Sequence, residues 1–262
     1  MTAGRVSAPG TQRKGRARLD ERLVDEGLAE SRSQAQALIL SGVVLVDDQP
    51  VDKAGAGVAP SAQIRLRGGL RRFVSRGGEK LFGALEDLSV DPAGLDCLDV
   101  GASTGGFTDC LLQAGAHRVL ALDVGRGQLH SRLCLDDRVV VLDGCNARNL
   151  EPGQLDFSVD LVVADVSFIS LALLMPGLAR AAPGAEWLLM VKPQFEVGRA
   201  QVGKGGVVRD DGLRAAAVDS VIEAAAEHGY RCLGRAESCL AGPRGNREVF
   251  VRFEAPASGR GE

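Results

Sequence analysis

Six cysteines are scattered through the 262 residues, at Cys97, Cys110, Cys134, Cys145, Cys232 and Cys239, without one Cys-x-x-C pair. No cluster of histidines lies near them, so a zinc site is not expected, and the usage suits reduced thiols in a cytosol. Long apolar runs are missing too. The most apolar stretch, Leu161 to Met175, is interrupted by Asp165 and stopped by Pro176, short of the roughly 20 residues a spanning helix needs. The first 18 residues are polar and basic and lack the apolar centre of a secretory signal. These absences predict a soluble, cytoplasmic protein with no membrane partner and no metal. A basic excess is also absent, since 31 Lys and Arg against 34 Asp and Glu leave a net charge of -3. Dividing the chain changes that picture. Residues 1–80 hold 14 Lys and Arg against 9 Asp and Glu, and the rest hold 17 against 25. A front of +5 on a body of -8 suits one module that grips phosphates and another that does chemistry.

The front begins with residues 1–16, basic and almost without apolar side chains, read as a disordered tail. Leu19, Leu23, Val24 and Leu28 then recur at helical spacing, with Gly27 at the end. Ser31 and Gln34 make a capping-box pattern for a second helix whose apolar face is Ala35, Leu38 and Ile39, closed by Gly42. Val43 to Val46 reads as a strand, Asp47 to Pro50 as a turn, and Ile64 to Leu66 as another short strand. From Leu95 onward the pattern becomes buried strands alternating with helix-length segments. The strands expected are Cys97–Val100, Val119–Val124, Val139–Leu142, Asp160–Val166 and Trp187–Lys192, then Tyr230–Ser238 and Glu248–Phe253 after a helix from Leu213 to His228. Such apolar strands indicate an α/β fold with a parallel sheet covered on both faces, the last strand being a candidate antiparallel addition.

Strand one runs into Asp99-Val100-Gly101-Ala102-Ser103-Thr104-Gly105-Gly106-Phe107. Small residues there let the backbone approach a ligand closely and start a helix directly beneath it. Asp123, at the end of strand two, stands where a carboxylate accepts hydrogen bonds from a ribose diol. NAD enzymes and methyltransferases share this arrangement. The loop lacks the G-x-G-x-x-G pattern, because Ser103 occupies its second glycine position, which favours a methyltransferase. Asn146, after strand three, is placed to bracket an adenine or serves only as a turn residue.

Asp165 and Lys192 end strands four and five, where both would face the ligand crevice, either as a functional pair or as a structural ion pair. The segment Asp165-Val166-Ser167-Phe168 lacks the two prolines typical of amino-group methyltransferases. Neither strand end carries the cysteine that methylation of a cytosine carbon would want. A hydroxyl acceptor fits best.

From about residue 16 the chain resembles the TlyA (hemolysin A-like) rRNA 2′-O-methyltransferases. The resemblance is carried by Arg18-Leu19-Asp20 through Val24, Gly27-Leu28-Ala29, Ser31-Arg32 and Ala35, by Ser75-Arg76-Gly77-Gly78-Glu79-Lys80-Leu81, and by Asp99 to Phe107. Two further blocks are Asp165-Val166-Ser167-Phe168-Ile169-Ser170-Leu171 and Val191-Lys192-Pro193-Gln194-Phe195-Glu196. It implies a small α+β RNA-binding domain (17–67) of the ribosomal-protein-S-four type, a linker (68–75), and an FtsJ-type domain (76–255) before a short tail (256–262). The second domain would have the Rossmann-like class I methyltransferase fold, with a mostly parallel seven-stranded sheet. The implied cofactor is S-adenosylmethionine, held by Gly101, Ala102, Ser103, Gly105, Gly106, Phe107, Asp123, Asn146 and Asp165. The implied catalytic tetrad is Lys80, Asp165, Lys192 and Glu248, and the implied acceptors are cytidines in small- and large-subunit rRNA.

In that mechanism Lys192 orients the hydroxyl and accepts its proton, Lys80 disfavours a charged Lys192 by repulsion, and Asp165 and Glu248 hold both amines. Alternatively the same network stabilises developing alkoxide charge. Arg18 and Arg22, placed on one helical face, and Arg32, opening the next helix, are expected to contact phosphates, as are Arg71 and Arg72 in the linker; the alternative is a merely solvated basic face. The linker, joined directly to the Arg76–Lys80 block, would let RNA docking be felt at the cofactor pocket. A monomer acting on ribosomal subunits is expected. The rival readings are a membrane-active hemolysin, against which the missing apolar segments argue, and a non-catalytic ribosome-assembly factor, against which the retained tetrad argues.

Overall fold

The computed structural model describes residues 15–29, 31–67, 72–242 and 244–257. Arg71 and most of the proposed terminal tails lie outside these. The chain divides into two compact units, with the boundary between residues 71 and 72.

In the first unit, α1 (Leu19–Asp25) and α2 (Arg32–Leu40) bury Leu19, Leu23, Ala35 and Ile39 against Val44 and Val58. The Ser31 side chain caps α2 by accepting a hydrogen bond from the Gln34 amide at 3.3 Å. Strands β2 (Val44–Val46), β3 (Gln49–Pro50) and β5 (Ile64–Leu66) form an antiparallel sheet in the order β3-β2-β5. The expected turn is tighter than the sequence reading gave. Asp47 and Asp48 both have positive φ, as a two-residue hairpin loop demands, so Gln49 and Pro50 already pair. A ladder of β1 (Ala17–Arg18) with β4 (Gly57–Val58) was not anticipated, because two-residue strands carry no periodicity.

The second unit holds β6 (Asp96–Val100), β7 (Arg118–Asp123), β8 (Val139–Asp143), β9 (Leu161–Ala164), β10 (Glu186–Val191), β11 (Arg231–Glu237) and β12 (Val249–Glu254) in one sheet, ordered β11-β12-β10-β9-β6-β7-β8. Strands β6 to β10 pair in parallel, and β12 runs antiparallel to both β10 and β11. The strand order reverses direction between β6 and β9, which places the ligand crevice of such a sheet beyond their carboxyl ends.

Period-two alternation divides the strand side chains between two cores. Leu98, Val162, Trp187 and Leu189 pack on the face covered by α6 (Met175–Ala181) and α8 (Asp211–Ala226). Cys97, Val163, Leu188 and Met190 pack on the face covered by α3 (Arg76–Asp87) and α4 (Gly106–Gln113). Each fully buried large apolar side chain contributes about 1.5–3 kcal/mol. Strands β9 and β10 end one residue before Asp165 and Lys192 respectively. Both groups are therefore at the mouth of the sheet rather than within it.

Candidate active site

The site begins with a close approach of two helix starts. A Cβ on Gly78 would lie 2.8 Å from the Gly106 carbonyl oxygen, and one on Gly106 would lie 2.9 Å from the Gly78 nitrogen. Only glycine at both positions lets α3 rest on the start of α4. That contact delivers Lys80, two residues further along α3, into the interior. Lys80 is 6 % exposed, and its Nζ donates to Glu248 Oε2; Glu248, just before β12, is 2 % exposed.

A second pair lies alongside. Lys192 Nζ forms an ion pair with Asp165 and donates to Ser167 Oγ at 2.9 Å. The Asp165 contact is one of charge, because Asp165 Oδ1 has no directed hydrogen bond. Burying such groups costs several kcal/mol per ion unless they are paired and bonded. Here each cation has an acid partner.

Two clefts meet at these residues. One, of about 480 Å³, is lined by Gly101, Ser103, Asp123, Asn146 and Asp165. The other, of about 260 Å³, is lined by Lys192, Glu248, Gln194 and Arg244. Ser167 and Phe168 line both and form their common wall. Phe168 has φ +67°, is 91 % exposed, and its ring lies 5.2 Å from that of Phe195. A non-glycine residue held in that backbone region marks local strain of the kind found near functional sites. In the sequence Ser167 and Phe168 carry no signal of a role beyond the missing prolines of their segment.

Several expected cofactor residues serve the cleft from behind. Gly101 has φ +84°, and a Cβ there would lie 2.8 Å from the Asp165 carbonyl. The Ser103 amide donates to Asp123 Oδ2 at 2.8 Å, and the Gly125 amide to Oδ1 at 2.7 Å, so the acid after β7 is anchored across the glycine loop. Asn146 lines the cleft and also accepts from the Arg148 amide at 3.1 Å, as a turn residue does. Phe107 does not line the cleft. It is 3 % exposed in the core, its ring 5.9 Å from Phe250, and Ala102, Gly105 and Gly106 are likewise absent from the lining. Beneath the loop, Asp99 is fully buried and accepts from the Thr108 amide and hydroxyl. Burial pushes its carboxyl up to about 7 against the opposing Thr108 bonds, with Asp165 and Asp123 adding repulsion. Glu196 accepts from Ser170 Oγ at 2.6 Å and from the Leu171 amide at 3.0 Å, tying the segment after β9 to α7 (Pro193–Glu196).

The expected RNA-contacting arginines have other commitments. Arg18 precedes α1 as its N-cap and is not on a helical face with Arg22. Arg18 and Arg32 both bond the fully buried Asp20, whose carboxyl the Arg18 guanidinium holds well below the usual range. Arg22 is bonded to Glu26 and to the Ala59 and Ala62 carbonyls. Arg72 lies 3.8 Å over the Phe82 ring, Phe73 is 2 % exposed, and the Val74 amide donates to Asp109. The stretch from Arg72 to Val74 thus packs within the second unit rather than as a free linker. Arg71 falls outside the described residues.

Among the described residues no helix is long and apolar enough to cross a membrane, and no group of three or more His, Cys, Asp or Glu could hold a metal ion.

An FtsJ-like methyltransferase model matches residues 73–255, and an S4 domain model matches residues 17–64. The 16S/23S rRNA (cytidine-2′-O)-methyltransferase TlyA of Mycobacterium tuberculosis is 50% identical over 238 residues, covering 90% of this chain and 89% of that protein. Hemolysin A of Brachyspira hyodysenteriae is 39% identical, covering 90% and 99%. A solved structure of a hemolysin-named protein from Streptococcus thermophilus superposes with a TM-score of 0.73 at 36% identity, covering 95% of this chain and 92% of that one. With the glycine loop, the acids at the strand ends and the paired lysines in place, the chain belongs to the TlyA family, an S4 domain followed by an FtsJ-like methyltransferase domain.

Proposed function

We propose that this protein transfers a methyl group from S-adenosylmethionine to the ribose 2′-hydroxyl of rRNA, at cytidines of the small and large subunits. The observation that carries this reading is the Lys192–Asp165 pair at the Ser167–Phe168 wall shared by the two clefts, with Glu248, the partner of Lys80, lining the smaller one. The M. tuberculosis relative is a cytidine-2′-O-methyltransferase of 16S and 23S rRNA, which supports the same reading.

The larger cleft suits the donor. Its volume of about 480 Å³ lies in the range of small-ligand sites, roughly 300–1,000 Å³. Gly101 presents bare backbone there, and Asp123, anchored on the loop, keeps lone pairs free for a ribose diol. Asn146 and Asp165 complete the polar lining. The bound donor would supply an electrophilic methyl group on a sulfonium.

The acceptor ribose would enter the smaller cleft, where Lys192, as the neutral amine, would orient the 2′-hydroxyl and take its proton as the O–C bond forms and the donor's C–S bond breaks, leaving the thioether in the larger cleft. Asp165 and Ser167 fix the amine, while Lys80 and Glu248 form a second charged pair behind it. The first unit would hold the RNA through the exposed flanks of Arg18 and Arg32, with Arg71 and Arg72 as further phosphate contacts. This assigns residues 17–67 to RNA binding and 76–255 to chemistry in a cytosolic monomer.

The test is incubation of the full chain with methyl-labelled S-adenosylmethionine and isolated ribosomal subunits, followed by mapping of the product. Label on a cytidine 2′-oxygen is expected. Label on a base, or none in RNA, overturns the reading.

A further inference from the structure

The body of this protein is acidic, yet its cations are not evenly spent. At the edge of the sheet where the parallel strands begin, the arginines are neutralised. Arg118 pairs with Asp96, Arg138 with Asp136, Arg231 with Glu254 and Arg252 with Glu186. At the opposite edge, around the smaller cleft, several cations are exposed and have no acid partner among the described residues: Arg199, Lys204, Arg209 and Arg244. Arg132, Arg214 and Arg247 near that edge do have acid partners, whereas Arg126 and Arg148, beyond β7 and β8, are exposed and have none among the described residues. The unpaired cations of residues 198–209 and Arg244 are the ones carried by the segment that walls the smaller cleft.

That segment is held in place. The buried Asn246 side chain donates to the Gly206 carbonyl at 2.8 Å and accepts from the Val208 amide at 3.0 Å. The Gly203 amide donates to the Val207 carbonyl at 3.1 Å, so Lys204 is carried at the tip of a small closed loop. Val202 and Gly206 of this loop line the smaller cleft together with Arg244. The same clamp residue is two positions from Glu248. Loop, cleft wall and tetrad are thus one braced assembly.

We propose that residues 198–209 and Arg244 form a phosphate-binding rim, which takes the RNA backbone on either side of the nucleotide entering the smaller cleft. The inference rests on the reading of that cleft as the acceptor site. Cations grouped around a concavity match a strand that dips inward, and phosphates are the strongest acceptors such groups meet on RNA. The rim adds to the first unit a grip placed at the reacting end, on a body whose overall charge would repel RNA.

The experiment compares wild type with Arg199→Glu/Lys204→Glu/Arg209→Glu and, separately, Arg244→Glu, all as full chains. Arg231→Glu/Arg235→Glu serves as a control away from the cleft. Affinity for ribosomal subunits is measured across a salt series, alongside S-adenosylmethionine affinity and methyl transfer. The triple variant should bind subunits at least tenfold more weakly, with the log–log salt slope reduced by about two to three, since each lost phosphate contact removes roughly 0.7–0.9. Cofactor affinity should stay within twofold, and the control should bind as wild type does. An unchanged slope in the triple variant, with methyl transfer intact in wild type, overturns the rim while leaving the enzyme reading standing. Wild-type binding without transfer overturns the enzyme reading, and the slope comparison still decides the rim. Loss of binding to vesicles of anionic lipid, with RNA binding unchanged, overturns the rim in favour of a membrane surface. Should the reversals not fold, the Arg199→Gln/Lys204→Gln/Arg209→Gln set gives the same comparison, with the same slope loss expected.

Discussion

Lys192 Nζ donates to Ser167 Oγ at 2.9 Å while the same ammonium is paired with Asp165. One N–H is therefore directed along the wall between the two clefts, and the Asp165 charge restrains the amine from another side. What is left of the amine faces the smaller cleft, which Lys192 lines. As a neutral amine the nitrogen would offer that cleft a lone pair for the hydroxyl proton, and as an ammonium a hydrogen bond to the developing alkoxide.

Removing the amine should abolish methyl transfer. Lys192→Ala is expected to leave S-adenosylmethionine affinity within a few-fold, measured by calorimetry, and to reduce single-turnover transfer to background. Ser167→Ala removes one hydrogen bond to a charged group, about 1.5–3 kcal/mol, which corresponds to a loss of roughly 10- to 150-fold. Transfer near the wild-type rate in Lys192→Ala would take Lys192 out of the mechanism.

The Lys80–Glu248 pair should reveal itself through stability as well as activity. Glu248→Ala leaves a buried ammonium without its acid, a loss of about 3–5 kcal/mol. For a chain of this size that lowers the melting temperature by roughly 6–20 °C. The double variant Lys80→Met/Glu248→Leu should recover most of that stability in calorimetry and none of the transfer. Equal melting of the single and double variants would mean the pair is not coupled.

Asp99 gives a pH dependence with a definite sign. Its carboxyl is pushed up to about 7 in the folded chain, against an ordinary value of 3.8. Between these values the unfolded chain has released the proton and the folded chain still holds it. Stability from this group is thus fully present below about 4, declines as pH rises towards 7, and is level above that. Asp99→Asn cannot titrate, so the melting temperature of wild type relative to this variant should fall over that interval. A constant difference from pH 4 to 8 would show that the folded Asp99 titrates normally.

Gly101→Ala tests the loop. A side chain at φ +84° is strained by about 1–2 kcal/mol, and its Cβ would press on the Asp165 carbonyl at 2.8 Å. Cofactor affinity should fall at least tenfold, with a smaller relative change in subunit binding. Unchanged cofactor affinity would detach this loop from the donor site.

Much of this was legible in the residues. The glycine loop before a helix, Asp123 at the end of β7, and Asp165 and Lys192 just past β9 and β10 are local patterns, and local patterns survive in a linear text. The reversed direction of β12 was only hinted at by its alternation, and its pairing with β10 confirms it. Residue roles were harder to read. Phe107 and Phe73 were assigned to a cofactor loop and a linker, and both are core, because whether an aromatic faces ligand or interior depends on what packs over it. Arg22 read as a free cation and is bonded to Glu26, four positions on, and to two carbonyls brought by a loop about forty positions away.

The amino-acid order by itself determined the layers, the strand faces and the chemical types available at the strand ends, since periodicity and small residues act over a few positions. Only the tertiary structure decided which of these groups meet. Lys80 and Glu248 are 168 positions apart, and nothing between them specifies their contact. It follows from the strand order and from two glycines that let α3 lie against α4, because burying both sheet faces leaves one arrangement in which each interior charge finds its partner.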